Sequence, residues 1–259
     1  MTKDGRTGED ADDRSDENAA GGDVLALLAA AEPHDPVPVI APVGALSYGM
    51  AFTGLAIALV LVLGFWEIAG HADTIAHEGA HVVGMILFER GVSGVTLDYE
   101  GEQHTGSTRP AQDGSFFSVL AAVLGYYGPP LFGLLGAALL VRGSATGVLW
   151  VFLLLLGGLL LLVRNLFGAL ILLGTGALFY LTVTYGSATA QLVVACTWVW
   201  LLLISGVVSA FEHFRHGGDY AILRRETLIP GFVWATLSVV VAVGALWYGG
   251  SWLLGFSRP

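Results

Sequence analysis

From about residue 47 to residue 254 the chain alternates between long apolar runs and short polar interruptions. An α-helix rises 1.5 Å per residue, so about 20 apolar residues cross a hydrocarbon layer of roughly 30 Å. The runs predict spans near 47–66, 73–89, 116–141, 147–163, 165–184, 188–210 and 231–254, an all-α polytopic membrane protein of about seven transmembrane helices. The second run is short and interrupted by His77, Glu78 and His81, while Arg164-Asn165 is all that parts the fourth from the fifth. The longest polar loop is 90–115. Its centre, Gly94 to Gly106, reads as two short strands around a turn near Gly101, a small β-hairpin after the second helix.

Residues 1–38 follow a different pattern, combining acidic and small residues with Gly21, Gly22, Pro33, Pro36 and Pro38. Such a segment buries too little apolar area to offset its ordering entropy, so disorder is expected. Val24–Ala31 is the one stretch in it suited to a short helix. A secretory signal is not expected, because there is no basic n-region and the first long apolar run starts late. The division expected is therefore a disordered acidic tail at 1–38 and a membrane-embedded domain at 39–259.

Composition agrees: 55% of residues are hydrophobic and only 12% charged, about half the charged share of a soluble domain. The net charge of −10 is mostly the tail's, since 1–38 holds ten acidic residues against Lys3, Arg6 and Arg14. Nucleic acid is not an expected partner, because the chain has no basic face to offer it. With the N-terminus inside, Lys3, Arg6, Arg14, Arg90, Arg109, Arg164, Arg215, Arg224 and Arg225 fall on the cytoplasmic side, against Arg142 and Arg258 outside. That asymmetry predicts a cytoplasmic N-terminus and a multi-pass location in the cell membrane.

Cys196 is the only cysteine, which excludes an intrachain disulfide and a cysteine-based zinc site and leaves a small buried apolar residue. The segment that carries chemistry is His77-Glu78-Gly79-Ala80-His81. Histidines at i and i+4 stand one turn apart on one helix face, where both imidazoles reach a single Zn²⁺. Glu78 borders that face, where a carboxylate serves as general base toward water. Three ionisable groups within five residues of an apolar helix are costly, and such groups are functional by default.

A catalytic zinc site takes three protein ligands. Candidates for the third cluster after the sixth span, in Phe211 to Tyr220. Asp219 follows Gly217-Gly218 and precedes a helix-like stretch, Tyr220–Glu226, so it reads either as a ligand or as a helix cap. Glu212, His213 and His216 are the substitutes. Arg164 and Asn165 read either as contacts to the metal site or substrate, or as a short turn with a snorkelling arginine. Gly125 and Gly128-Pro129-Pro130 break a helix, by a packing kink or at a water-filled cavity. Glu67, His71 and Asp73, near the outer ends of the first two spans, read either as a proton or metal entry path or, preferably, as interfacial loop residues.

These motifs bear a likeness to a known family. The His77–His81 pair on a membrane helix, Gly125-Tyr-Tyr-Gly-Pro-Pro-Leu-Phe-Gly133 and Arg164-Asn-Leu-Phe-Gly168 resemble site-2-protease-type intramembrane zinc metallopeptidases, in particular a compact bacterial branch, over about residues 65–235. The resemblance implies His77 and His81 as ligands, Glu78 as general base and a downstream aspartate completing the site. Asn-Pro-Asp-Gly and Leu-Asp-Gly, where the larger family carries that aspartate, do not occur, and Gly218-Asp219-Tyr220 resembles the compact branch's alternative. It further implies membrane-anchored protein substrates such as an anti-sigma factor or a signal-peptide remnant. The rival expectation is a non-catalytic metal-binding membrane protein or transporter.

Overall fold

The computed structural model describes residues 46–87, 92–100, 103–110, 115–216 and 220–257; the acidic tail and Asp219 lie outside the described residues. Two helices open the chain, α1 (Tyr48–Gly64) and α2 (Trp66–Leu87). A two-stranded sheet comes next, β1 (Val92–Glu100) and β2 (Gln103–Pro110), and then α3 (Ser115–Val141), α4 (Ala145–Leu162), α5 (Leu166–Tyr185), α6 (Ala188–His216), the short α7 (Tyr220–Thr227) and α8 (Gly231–Leu253). Each expected span corresponds to one long helix. Five of them are long and apolar enough to cross a membrane alone. The first two pass only together, as a pair bent by 107° at Phe65.

The bend corrects one expectation. Residues 67–73 are not an interfacial loop: α2 starts at Trp66, and Asp73 lies inside it, 7% exposed. Ser47 begins α1 by capping the N–H of Met50, and Phe65 leaves helical geometry before α2 resumes. In sequence the run 47–66 carries no mark of this break, because nothing at Phe65 is polar; the turn is backbone geometry, not composition.

α6 is the central helix, packed against α1, α2, α3, α4 and α8. Its Leu192, Ala195, Cys196 and Trp198–Leu203 are buried, and Cys196 is fully enclosed as a small apolar residue. Gly54 lets α1 approach it, since a Cβ there would lie 2.7 Å from Cys196 Cβ. The Trp200 indole donates to the Ala51 carbonyl across the same contact, at 3.1 Å. The outer helices expose their apolar side chains instead; α5 buries only Gly168, Leu172 and Phe179 and presents Leu166, Leu170, Leu173, Leu178 and Leu181 outward. An aqueous surface would not tolerate that stripe, whereas lipid does.

The hairpin expected at 94–106 is present and extends to 92–110. Its strands pair antiparallel with Leu97 opposite Gly106 and Thr96 opposite Ser107. The free edge of β1 is taken by the link between α4 and α5. Val163 bridges to Val95, and the Arg164 N–H donates to the Val95 carbonyl at 2.8 Å. Arg164 Nη2 reaches the Ser93 carbonyl at 2.8 Å. Asn165 occupies the cap position of α5 without capping it. Its Nδ2 donates to the Leu97 carbonyl (2.6 Å) and Asp98 Oδ1 (2.9 Å), and its Oδ1 accepts from the Leu97 N–H (3.2 Å). The pair that interrupts two apolar runs thus clasps the hairpin at a membrane boundary.

Asn165→Ala removes three hydrogen bonds worth about 1 kcal/mol each, with backbone groups of Leu97 left to find water. Amide exchange in β1 is expected to quicken by at least tenfold while the helices keep their protection, and unchanged exchange at Leu97 rejects the clasp.

Candidate active site

The site is assembled on α2, where Asp73, His77 and His81 recur at i, i+4 and i+8 and so share one face. His77 Nε2 and His81 Nε2 stand 3.1 Å apart, with ring centroids at 4.7 Å. Two nitrogen ligands held tetrahedrally at about 2.0–2.1 Å from Zn²⁺ lie roughly 3.3 Å apart, so the imidazoles fit one ion with almost no rearrangement. A carboxylate oxygen of Glu78 joins them, all three ligand atoms lying within 4.8 Å of one another. Nitrogen and carboxylate donors of this kind suit zinc.

Neighbouring elements approach this face with little besides backbone. On α3, a Cβ at Gly125 would lie 2.8 Å from His77 Nε2 and closer still to the ring of His81. One turn along, a Cβ at Gly128 would lie 2.9 Å from the Ala76 carbonyl. These glycines let α3 lie directly on the histidine face, with Leu124 beside Gly84 at the other end of the contact. Pro129 and Pro130 continue the helix but have no N–H to give the carbonyls of the preceding turn.

β2 covers Glu78. The Thr108 hydroxyl donates to Glu78 Oε2, and Gly106 passes so closely over Oε1 that a Cβ would collide with it. Glu78 is consequently only 2% exposed. The hairpin is therefore part of the site, placed there by the clasp at Arg164-Asn165. Those two side chains meet β1, and the structure does not bring them to the imidazoles.

α6 supplies the third wall, through residues expected in a loop. The helix runs on to His216, so Glu212, His213 and His216 belong to its last turns. The apolar run stops near residue 210, but Glu212 to His216 are compatible with helix and continue it at the boundary. The His213 ring lies parallel to His77, centroids 6.3 Å apart, and edge-on to Tyr126 at 5.2 Å. Tyr126 in turn meets His77 edge-on at 5.6 Å. His213 Nδ1 is 2.7 Å from the Ser209 carbonyl. A carbonyl only accepts, so Nδ1 carries the hydrogen and the lone pair of the neutral ring sits on Nε2.

Below this layer the Ser209 hydroxyl donates to Asp73 Oδ2 at 2.5 Å. Asp73–Ser209 and His77–His213 form two rungs between α2 and α6. A signal for them exists in the sequence: Ser205, Ser209 and His213 recur at i, i+4 and i+8 in an apolar helix, matching Asp73, His77 and His81.

Neither a curated protein nor a solved structure matches the chain. Residues 50–249 match the family described as Peptidase M50B-like, a span that includes both histidines, Glu78, the hairpin and α3 through α7. The apolar helices agree with a membrane metallopeptidase, and the chain belongs to this M50B-like, site-2-protease-type family.

Proposed function

We propose that the chain is a zinc metalloendopeptidase that cleaves membrane-anchored proteins within or beside the bilayer. The observation that carries this reading is the pair of Nε2 atoms 3.1 Å apart with the Glu78 carboxylate at their edge, enclosed among apolar helices. In it, His77, His81 and Asp219 hold the metal and Glu78 is the general base. Asp219 directly precedes α7 and comes three residues after the end of α6, so it is tethered to the helix that brings His213 to His77.

When bound, zinc would supply a Lewis acid and a water acidic enough to ionise near neutral pH. Glu78 takes the proton from the attacking water and delivers it to the leaving amine nitrogen. Thr108 engages Oε2 and so fixes the orientation of the carboxylate. His213 and Tyr126 fix the His77 ring from two sides. The apolar enclosure excludes bulk water, which strengthens each of these interactions.

The substrate's peptide bond must arrive extended, because a helical one is shielded by its own turn. β1 is closed by Val163 and Arg164, and among the described residues no strand pairs with the outer edge of β2. A substrate segment adding to β2 would lie beside Thr108 and hence beside Glu78. With the N-terminus cytoplasmic, the site would open toward the cytoplasmic half of the membrane, and an anti-sigma factor is one substrate of the right anchored kind.

Elemental analysis checks the ligand set. Wild type and Glu78→Gln are expected to hold about one zinc per chain, and His81→Ala and Asp219→Ala to lose it. A metal-free wild type rejects the peptidase reading, whereas normal zinc in Asp219→Ala transfers the third ligand to Glu212, His213 or His216. Peptide-bond cleavage of a membrane-anchored substrate should vanish in Glu78→Gln.

A second measurement tests the glycine contact. Gly125→Ala places a methyl group against both imidazoles and is expected to weaken zinc binding by roughly 10–100-fold in a chelator competition. Gly157→Ala is the control, since a Cβ there meets nothing within 4 Å. Equal affinities in the two variants would show that α3 does not confine the histidines.

A further inference from the structure

Among the described residues, Leu228 alone is a non-glycine with a positive φ, at 60°, and its side chain is 89% exposed. Left-handed backbone crowds a Cβ, so glycine is usual at this position just past a helix end. The Leu228 N–H returns to the Arg224 carbonyl at 3.0 Å and closes α7. The Thr227 hydroxyl holds the turn, donating to the Leu223 carbonyl and accepting from the Ile229 N–H and the Trp234 indole. A leucine here is costly twice, in backbone strain and in exposed apolar area, and burial in protein offsets neither. Ile229, Phe232 and Val233 extend the exposed apolar surface onto α8.

Charge accompanies this turn. Arg224 and Arg225, one helical turn earlier, are both exposed. Arg225 pairs with Glu226 at 3.3 Å, whereas Arg224 enters no ion pair among the described residues. Guanidinium groups beside an outward apolar turn suit a lipid boundary, where acyl chains take the leucine and the headgroup takes the charge. Positive charge selects an anionic headgroup over a zwitterionic one, and α7 lies on the side that the charge asymmetry predicts to be cytoplasmic, the leaflet that carries anionic lipid. The occupant is lipid rather than a soluble protein, because Phe232, Val233 and Leu237 carry the same exposed surface along α8, a helix long and apolar enough to cross the membrane.

We propose that Arg224, Arg225 and the Leu228-Ile229 turn form a docking surface for an anionic phospholipid at the membrane boundary. The headgroup phosphate meets the guanidinium groups, and Leu228 dips among the acyl chains. Lipid held there reaches the candidate active site through packing. Leu223, 1% exposed, seats α7 in a buried cluster with Tyr126 and Ala235, and Tyr126 meets His77 edge-on. Under the peptidase reading α7 also follows directly on Asp219, so the lipid restrains the segment that carries the third ligand. The docking surface itself does not depend on that reading, and neither zinc nor cleavage enters its test.

The full chain is reconstituted in phosphatidylcholine vesicles that hold a minor share of acyl-brominated phosphatidylglycerol or of acyl-brominated phosphatidylcholine, bromine being a short-range quencher of tryptophan. Trp234, bonded to Thr227 in the turn, is the reporter, and its signal is the difference between each protein and its Trp234→Phe counterpart. Phosphatidylglycerol is expected to outcompete phosphatidylcholine at this position by roughly tenfold, since each arginine near an anionic surface strengthens attachment about fivefold. Arg224→Gln combined with Arg225→Gln is expected to bring that ratio to about one. Leu228→Gly, which relieves the backbone, is expected to lower quenching by both lipids alike. A wild-type ratio near one overturns the docking surface, and so does a ratio that survives the two glutamine substitutions. Unchanged quenching in Leu228→Gly overturns the inserted turn. A preference abolished by inorganic phosphate at equal ionic strength would show a site for a free anion, which also overturns the lipid.

Discussion

The structure is organised around the burial of one polar helix face in apolar surroundings. Asp73, Glu78 and His81 are each less than a tenth exposed, although a charged side chain at the centre of a membrane helix costs about 2.5–3.5 kcal/mol to insert. No single element offsets that. β2 brings the Thr108 hydroxyl to Glu78, α6 brings Ser209 to Asp73, and α3 lays Gly125 against the imidazoles. The contacts are hydroxyls and bare backbone because these satisfy or admit polar groups without adding further charge. Central α6, with its buried apolar length and its polar last turns, is the consequence at the scale of the fold.

The features most legible in the sequence are those dictated by spacing and length. Apolar runs of about 20 residues correspond to the long helices, and His77–His81 at i, i+4 defines the face that the Nε2 atoms share. The hairpin is legible from its turn residues. Less legible is the bend at Phe65, because an apolar residue leaving helical geometry changes no pattern. The end of α6 is hard to read for the opposite reason. The change from apolar to polar residues near 210 marks where the surroundings change, while the backbone continues as helix to His216.

Arg164 and Asn165 show why a local reading of a polar pair stays ambiguous. Their sequence context allows a turn or a site contact, and the actual partners lie about 70 positions earlier, on a strand whose pairing the sequence alone does not reveal. The pair also changes the meaning of the hairpin. By closing the outer edge of β1 it leaves β2 as the strand edge nearest Glu78, so a turn in the chain between α4 and α5 decides which edge of the hairpin stays unpaired among the described residues.

The two polar stripes explain why the site needs α6 at all. Asp73, His77 and His81 on α2 face Ser205, Ser209 and His213 on α6, and the rungs Asp73–Ser209 and His77–His213 have the same sequence offset. Helices paired in this way run parallel, so sliding one by a turn would break both rungs together and carry Asp73 from Ser209 to Ser205 or His213. Gly54 and Trp200 anchor the other half of α6 to α1, which limits such a slide. Register between α2 and α6 is therefore fixed twice, once by close packing and once by polar contacts. The ring geometry at His77 depends on the second, since its edge contact at 5.6 Å and face contact at 6.3 Å tolerate rotation that a 2.5 Å hydrogen bond one turn below does not.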